Sequence, residues 1–494
     1  MPSLTRRRAL KAAYNISPVA KILAILLLVL ALFMLAPLVL LALEGSLEAW
    51  AFALSIGIIL AVSLTTLVFT RGIPIELQPR QMFVLTTLSW VVISSFASLP
   101  FILGTPYLSF TNAVFESVSA ITTTGSTIVV GIDGLSDGLK LWRGMMQWLG
   151  GIGIIVMAIA ILPFLKVGGM RLFQTESSDW SDKVMPRAGG IAKASGAIYL
   201  GFTGIVTISY WLAGMLPLDA IVHAMTTVAT GGFANTDASF GAYSQQPQIL
   251  WLASLFMFCA SLPFVMFIRA LRETKSVLWQ DQQVKGLFYL LLIAIGILTG
   301  YRVIQGTEPF TALTQVTFNV ISIVSTTGYA SDDYTTWGAL FIVAFFYLTF
   351  IGGCSGSTSG GMKIFRFQIG QVMLTNQLRF LVHTNGTFPQ RYNGRRLPDE
   401  VIRGVIAFSF FFFLTIAGLA LGLAILGLDM VSALSGAATA VSNVGPGLGD
   451  VIGPAGNFAS LPDAAKWLLC VGMLMGRLEI LTVIVLFTPT FWKK

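Results

Sequence analysis

The sequence predicts an all-α polytopic membrane protein. We expect four pseudo-symmetric repeats of helix, pore half-helix and helix around one central pore, preceded by an N-terminal two-helix hairpin. Of the 494 residues, 55% are hydrophobic and 11% are charged, whereas about 25% of residues are charged in soluble proteins. Ten apolar segments are long enough to cross a bilayer. A short phrase of threonine, serine and glycine also recurs four times, about one hundred residues apart.

The first apolar run covers residues 22–43 and is followed by a second at about 50–70. About 20 apolar residues, rising 1.5 Å each, cross a hydrocarbon core of about 30 Å. The first run is too long for the apolar part of a signal peptide, and no small-residue cleavage site follows it. We therefore expect both runs to stay in the membrane as a hairpin within residues 1–75.

The loops between the remaining apolar segments are alternately basic and acidic. The segments lie near residues 82–103, 144–165, 196–216, 249–270, 286–304, 338–373, 403–427 and 466–490. The basic loops carry 24 of the 30 lysines and arginines, so the positive-inside rule places these loops and both termini in the cytoplasm. The opposite loops, to which we assign Arg143, carry twelve acidic residues against four basic ones and attract cations. Because the basic residues are scattered over short loops, we expect no nucleic-acid partner.

The four recurring phrases define the repeats. They are residues 121–127 (ITTTGST), 227–233 (TVATGGF), 325–329 (STTGY) and 442–446 (SNVGP), and their shared glycines are Gly125, Gly231, Gly328 and Gly445. The repeats cover residues 76–180, 181–275, 276–395 and 396–494. A half-helix of about 10 to 13 residues precedes each phrase, and Asp219 and Asp429 stand where two of them begin. Chain too short to span is tolerated at membrane depth only if it is buried in protein or lines a cavity.

These phrases suit a cation-selective pore. A ring of backbone carbonyls replaces the water of a cation without a fixed charge that would trap it, and glycine lets a carbonyl turn toward the axis. The predicted selectivity filter comprises Thr123, Thr124, Gly125, Ser126, Ala229, Thr230, Gly231, Gly232, Thr326, Thr327, Gly328, Tyr329, Asn443, Val444, Gly445 and Pro446. Potassium is expected at Thr123, Thr124, Ala229, Thr230, Thr326, Thr327, Asn443 and Val444. One glycine per repeat, with an additional Gly232, predicts a short filter that excludes sodium less strongly than a tetrameric potassium channel does.

The segment 338–373 contains a glycine-rich interruption at residues 352–361, where five of ten residues are glycine. Such a stretch does not hold an α-helix, and under the filter it has the position of a gate. The candidate gate residues are Gly352, Gly353, Gly356, Ser357, Thr358, Gly360, Gly361 and Lys363, with Arg477 from the last span. We expect Lys363 to pair with an acidic or carbonyl group on another helix. Met362 precedes the lysine and Ile364 follows it, which disagrees with a phosphate-binding loop.

Two further charges lie in apolar surroundings. An intramembrane arginine is a candidate functional residue, and we expect Arg477 to form an electrostatic barrier in the cavity below the filter. Glu479 should pair elsewhere, because residues two apart do not share a helix face. Glu116, in the first half-helix, is either a structural partner behind the filter or an attractor of cations, and the sequence leaves both roles open.

With these features the chain closely resembles the Trk/Ktr/HKT superfamily of potassium transporters, and within it the bacterial TrkH/TrkG type. The resemblance runs from about residue 80 to the end, with specific phrases at 147–153, 168–170, 183–187, 352–363, 445–449, 453–456 and 476–480. It implies potassium uptake across the bacterial inner membrane, gated by the loop 352–361 and with Arg477 below the filter, and a peripheral N-terminal hairpin. It also implies a homodimer that docks a tetrameric TrkA-type cytosolic regulator, with the nucleotide on that partner and no cofactor bound covalently to this chain.

Three other functions were weighed against this one. Potassium symport coupled to sodium or protons stays open, because nothing in the sequence reports the energy source. A transporter with inverted halves is disfavoured, because the four units share one orientation. An intramembrane protease would use the Gly-x-Gly-Asp sequence ending at Asp450, but it needs two carboxylates sharing a proton. Neither a second such aspartate nor a catalytic set around His223 or His383 is present, so we predict that the protein is not an enzyme.

Overall fold

A computed structural model describes residues 16–105, 107–160, 188–272 and 277–492. Its helices are α1 Ser17–Leu43, α2 Ala49–Phe69, α3 Pro79–Ala97, α4 Leu99–Leu103, α5 Phe110–Ile121, α6 Asp137–Ala160, α7 Ala188–Leu212, α8 Pro217–Val228, α9 Pro247–Ala260, α10 Phe264–Arg272, α11 Val277–Gln280, α12 Gln282–Ile304, α13 Pro309–Val324, α14 Ala339–Leu348, α15 Ile364–Val382, α16 Asp399–Ile425, α17 Met430–Ser442, α18 Gly449–Ile452, α19 Asp463–Arg477, α20 Ile480–Ile484 and α21 Pro489–Trp492. Short 3₁₀ helices cover Ile132–Gly134, Ser239–Tyr243, Tyr334–Trp337 and Val485–Phe487. The prediction of an all-α membrane fold is confirmed.

Within the described residues, four two-residue strands accompany the helices. They are β1 Ile351–Gly352, β2 Met362–Lys363, β3 Arg391–Tyr392 and β4 Arg395–Arg396. β1 and β2 pair in parallel, whereas β3 and β4 pair antiparallel. Each pair closes one loop, so the strands add local links to a helical architecture.

The spanning helices agree with most of the predicted segments. In the described part of the chain, Ser17–Leu43, Ala49–Phe69, Pro79–Leu103, Gly190–Leu212, Gln282–Ile304 and Asp399–Ile425 are each long and apolar enough to cross a membrane. Two helix pairs are each long and apolar enough to form one more span. The chain bends by 92° between α9 and α10, and by 111° between α19 and the helical segment Ile480–Phe487. The predicted spans 144–165 and 338–373 correspond to α6 and to α14 with α15.

Large apolar side chains on the outside of these helices face away from the protein. Leu32 on α1, Val68 on α2 and Ile425 on α16 are all exposed. A helix that is apolar on its outer face as well as its inner face suits a lipid environment. Part of the basic surface predicted for the cytoplasm, including residues 1–15 and 161–187, lies outside the described residues, as do the phrases at 168–170 and 183–187.

The N-terminal hairpin packs on the first repeat. α1 and α2 lie against each other, and α1 also contacts α3 and α6. Phe52 meets Trp142 of α6 edge to face, with ring centroids 6.1 Å apart. A side chain at Gly138 would overlap Leu41, so glycine permits α1 and α6 to approach closely.

Four half-helices, α5, α8, α13 and α17, stand between the spanning helices. They contain 12, 12, 16 and 13 residues, so the third is longer than predicted. Three begin with a side-chain cap: Ser109, Glu308 and Asp429 accept hydrogen bonds from backbone N–H groups of the first turn. The second begins with Pro217 and has Asp219 in its first turn, where an acidic group stabilises the helix dipole.

The repeats contact one another in a closed order. α6 of the first repeat contacts α8 of the second, and α9 contacts α13 of the third. α15 of the third contacts α16 of the fourth, and α19 of the fourth returns to α5 of the first. The half-helices are therefore surrounded by a circuit of helices, and nearly all of their side chains beyond the first turn are buried.

Candidate functional site

Each half-helix ends in the same backbone conformation. Of the seven non-glycine residues with positive φ in the described part of the chain, four stand one or two residues after these helix ends: Thr123 at 53°, Thr230 at 50°, Thr326 at 58° and Asn443 at 54°. The left-handed region is rare for β-branched threonine. Residues held in such a conformation cluster at functional sites, where surrounding structure enforces it.

A shared hydrogen-bond pattern enforces this conformation. In the first repeat the N–H of Thr123 donates to the carbonyl of Ala120 at 2.9 Å, and the N–H of Thr124 donates to Ser119 at 2.8 Å. The same two bonds, to carbonyls three and five residues earlier, recur at the equivalent positions of the other three repeats. This is a Schellman motif, which satisfies the last carbonyls of a helix.

The pattern corrects the register of the second repeat. Two residues beyond each left-handed residue stands a glycine with positive φ: Gly125, Gly232, Gly328 and Gly445. The equivalent glycine of the second repeat is therefore Gly232, and the prediction that Gly231 is the shared one is wrong. Gly231 is level with Thr124, Thr327 and Val444. The predicted pair Ala229 and Thr230 thus stands one residue early, and Thr230 with Gly231 is the matching pair.

The four glycines form a ring with the carbonyls of their neighbours. A Cβ atom added to any of them would lie less than 3.0 Å from a carbonyl oxygen of the next repeat. The contacts are Gly125 with Gly231, Gly232 with Thr327, Gly328 with Val444, and Gly445 with Thr124. The first repeat meets the second, the second the third, the third the fourth, and the fourth the first. Only glycine fits this close packing.

The ring opens onto a cavity. All four ring glycines line it, together with polar groups of the extended segments that follow the ring, among them Ser126, Thr127, Thr236 and Asp237. Gly231 is not among its lining residues, in agreement with the corrected register. The ring glycines are therefore accessible from this cavity.

Side chains behind the ring tie its segments together. Asn443 donates to the hydroxyl of Thr124 and to the carbonyl of Met473, both at 2.9 Å. Ser126 donates to the carbonyl of Gly445 at 2.8 Å. The first and fourth repeats are therefore joined on both sides of the ring. Tyr329 is buried and donates to the carbonyl of His223 at 3.2 Å, which joins the third repeat to the second.

Gln147 on α6 also contacts the ring, although it was not among the predicted site residues. Its Nε2 donates to the carbonyl of Gly231 at 2.5 Å, and its Oε1 accepts from the N–H of Phe233 at 3.0 Å. A side chain at position 231 would overlap this glutamine. A buried glutamine in an apolar helix was the available signal, because a buried amide needs hydrogen-bond partners.

The predicted gate residues lie in one segment between α14 and α15. β1 and β2 close it at its base, and its interior residues contact the ends of three half-helices. Thr358 donates to the carbonyl of Val228 at 3.0 Å, and the N–H of Gly360 donates to the Thr326 hydroxyl at 2.6 Å. A side chain at Gly360 would overlap the carbonyl of Ser442. The break in the helix predicted from the glycines is confirmed.

Lys363 is held differently from our expectation. Its Nζ donates to the carbonyl of Ser359, which belongs to the same segment rather than to another helix. The segment is instead anchored through its backbone: Cys354 N–H donates to Ser261 at 2.9 Å, and Ser355 N–H donates to Gln283 at 2.8 Å. These partners lie at the bend after α9 and on α12.

Arg477 lies against this segment from the last repeat. It is 3% exposed, and its Nη1 donates to the carbonyl of Thr358 at 2.8 Å. Within the described residues its Nε and Nη2 have no hydrogen-bond partner. Glu479 pairs with Arg366 at 2.6 Å, so the prediction that it pairs elsewhere is confirmed.

Glu116 is fully buried and accepts from Arg143 Nε at 2.9 Å and from the N–H of Ile128 at 3.0 Å. Of its two possible roles, these contacts identify a structural partner. Arg143 was assigned to an outer loop, and that assignment is wrong because the residue is buried on α6. Its Nη1 donates to the carbonyl of Ala234 at 3.1 Å, and its guanidinium lies 4.3 Å from the Phe233 ring.

Four half-helices that end at one ring, inside a bundle of apolar helices long enough to span a bilayer, define a multi-pass membrane protein. The family model described as TrkH, cation transport protein, matches residues 51–494. The chain belongs to this family, and it is a transport protein rather than an enzyme. The family match begins at residue 51 and includes most of α2, whereas the resemblance seen in the sequence begins at about residue 80.

Individual relatives agree with this assignment. The Trk system potassium uptake protein TrkI of Halomonas elongata is 69% identical over 488 residues, covering 99% of each chain. The Trk system potassium uptake protein TrkH of Vibrio parahaemolyticus is 38% identical over 426 residues, covering 85% of this chain and 87% of the relative. The crystal structure of the potassium transporter TrkH from Vibrio parahaemolyticus has a TM-score of 0.89 at 33% identity, covering 97% of this chain and 100% of that one.

Proposed function

We propose that this protein takes up potassium across the bacterial inner membrane through a channel-like pore. The observation that carries the proposal is the closed ring of Gly125, Gly232, Gly328 and Gly445, each against a carbonyl of the next repeat. The printed names of the relatives, which are potassium uptake proteins, supply the ion. In this proposal the ring and the carbonyls beside it form the selectivity filter.

The half-helices favour a cation at this place. All four end directly before the ring, and the C-terminal end of a helix carries a partial negative charge equivalent to roughly half an elementary charge. Carbonyls at the level of Thr123, Thr230, Thr326 and Asn443, and of the residues that follow them, replace the hydration shell of the ion. With one ring glycine per repeat, we expect preference for potassium with only moderate exclusion of sodium.

The segment 352–361 is the proposed gate. It contacts the C-terminal ends of the second, third and fourth half-helices, so an ion that leaves the ring on that side meets it. Arg477 adds a buried positive charge at Thr358, which repels a cation. Opening then requires the segment to leave the helix ends and the arginine to move with it or to lose its hydrogen bond.

Regulation follows the family resemblance. We propose a homodimer with both termini in the cytoplasm, gated by a tetrameric TrkA-type regulator that docks on the basic cytoplasmic loops. The regulatory nucleotide would bind to that partner. Arg379 and Arg391 lie in a region that this proposal assigns to the cytoplasm. They are candidates for the docking surface because both are exposed.

Uptake of ⁸⁶Rb⁺ into proteoliposomes that contain this protein alone tests the proposal. Uptake driven by an outward potassium gradient, blocked by external potassium and indifferent to sodium and pH gradients, supports a channel-like pathway. Dependence on a sodium or proton gradient would instead support the symporter. Absence of uptake both alone and with a TrkA-type regulator would refute potassium transport by this chain.

A further inference from the structure

A polar side chain is buried at the same position of three half-helices. Seven residues before the left-handed residue stand Glu116, His223 and Asn319, and all three are 0% exposed. In the fourth repeat Gly436 occupies this position, and the neighbouring Ser435 is also buried. Buried polar groups need hydrogen-bond partners, so the four residues call for a common explanation.

Their partners are equivalent as well. In each repeat the side chain accepts a hydrogen bond from the backbone N–H that stands five residues after the left-handed residue. The bonds are Ile128 to Glu116 Oε2 at 3.0 Å, Asn235 to His223 Nε2 at 3.4 Å, Ser331 to Asn319 Oδ1 at 3.2 Å, and Leu448 to Ser435 Oγ at 2.9 Å. Each bond joins a half-helix to the segment that follows the ring glycine, which we call the exit segment.

His223 and Asn319 share a second bond. The Nδ1 of His223 lies 2.8 Å from the carbonyl of Asp219, and the Nδ2 of Asn319 donates to the carbonyl of Gln315 at 2.9 Å. Both partners are four residues earlier on the same helix. Because Nε2 of His223 accepts from a backbone N–H, the ring proton belongs on Nδ1. The imidazole and the amide therefore share two bonds, one accepted from the backbone N–H after the ring and one donated to the carbonyl four residues earlier, and Asn319 Nδ2 also donates to the Ser331 hydroxyl at 2.9 Å.

A bond to the helix alone would have no bearing on the ring, since polar side chains often bond the carbonyl four residues earlier. The bond to the exit segment is different because it closes a loop of chain that contains the ring residues. Both ends of that loop, the half-helix and the exit segment, are then fixed. Selectivity between two cations of equal charge depends on how carbonyls are placed and how freely they move.

We propose that Glu116, His223, Asn319 and Ser435 are positioning residues that hold the four ring segments in place and thereby set the preference for potassium over sodium. This inference rests on the proposed function of the ring as a selectivity filter. In this proposal the residues touch no ion themselves and act through the backbone of the exit segments. The same task is done by a carboxylate, an imidazole, an amide and a hydroxyl.

An exchange between two repeats tests the inference. His223→Asn and Asn319→His each install the group that performs the task in the other repeat, whereas His223→Leu and Asn319→Leu remove the acceptor. The readout is the ratio of external sodium to external potassium needed to halve ⁸⁶Rb⁺ uptake into proteoliposomes. We expect the exchanged variants to stay close to the wild type and the leucine variants to lose roughly tenfold in this ratio, the effect of leaving a buried donor unpaired.

The other histidine provides a matched control. His383 is exposed at the end of α15, and His383→Leu should leave the ratio unchanged. If the leucine variants do not fold, Ser435→Ala and Ser435→Thr make the same comparison in the fourth repeat with a change of few atoms. A leucine or alanine variant that folds and keeps the wild-type ratio would overturn the inference. A wild type that does not distinguish the two ions would instead overturn the proposed filter.

Discussion

Arg477 Nη1 donates to the carbonyl of Thr358 at 2.8 Å, and this bond joins the last spanning helix to the glycine-rich segment. Thr358 in turn donates through its hydroxyl to Val228 at the end of the second half-helix and to Ala260 at the end of α9. One residue of the proposed gate therefore connects three repeats. In the proposed mechanism, the position of the gate and the barrier formed by Arg477 are therefore coupled through this residue.

Replacing Arg477 by alanine should raise ion flux. The change removes a buried positive charge and one hydrogen bond that holds the segment closed, and a loss of 1.4 kcal/mol from a barrier corresponds to about a tenfold increase. The initial rate of ⁸⁶Rb⁺ uptake measures it. Arg272→Ala is the control, because Arg272 is exposed at the end of α10. Unchanged or reduced flux in Arg477→Ala would contradict the barrier.

Replacing Gly232 by alanine should abolish selective uptake. Gly232 has a φ of 79°, and a Cβ there would overlap the carbonyl of Thr327, so the ring must distort. We expect at least about a tenfold loss of potassium-blocked uptake, since displaced carbonyls no longer match the ion. Gly204→Ala is the matched control on α7, where a Cβ meets nothing within 4 Å. Normal uptake by Gly232→Ala would argue against the ring as the filter.

Features set by local chemistry were predictable from the sequence. Asp429 was expected to start a half-helix because capping depends on residues within one turn, and it does. The break at residues 352–361 followed from glycine content alone. The register of the second repeat was not predictable in this way, because Gly231 and Gly232 are adjacent and the sequence does not say which one meets Thr327.

Contacts between segments that are far apart in the chain could not be predicted from the sequence either. Arg143 and Glu116 are 27 residues apart, and their pairing depends on how α6 lies against α5. Charge alone placed Arg143 in a loop, because a buried ion pair and two solvated charges look alike in a sequence. The partner of Lys363 was missed because it lies in the same segment as the lysine. The chain of that segment folds so that Ser359, and not a residue of another helix, lies beside the lysine.

Breaking the Arg366–Glu479 pair should destabilise the protein. The two side chains are 0% and 10% exposed, and removing one partner of a buried pair costs about 3–5 kcal/mol because the other charge stays buried. Thermal unfolding in detergent should show Glu479→Gln melting well below the wild type. The double variant Arg366→Gln, Glu479→Gln should recover part of the loss. Equal melting of the wild type and Glu479→Gln would show that the pair contributes little.

The cap of the fourth half-helix should make stability depend on pH. Hydrogen bonds from the Ser432 hydroxyl and N–H are the main cause of a lowered pKa of Asp429 in the folded protein. A carboxyl with a lowered pKa stabilises the fold above its unfolded value of 3.8, and the contribution is lost as the pH falls through the folded value.

Asp429→Ala should therefore lower the melting temperature at neutral pH, by an amount that corresponds to about 1 kcal/mol for a lost cap. Asp429→Asn should lose less, because an asparagine side chain also accepts the N–H of Ser432. Melting curves at a series of pH values check both statements. The difference between the wild type and Asp429→Ala should shrink below about pH 4, and a difference that grows on acidification would show that the carboxylate is not the stabilising form.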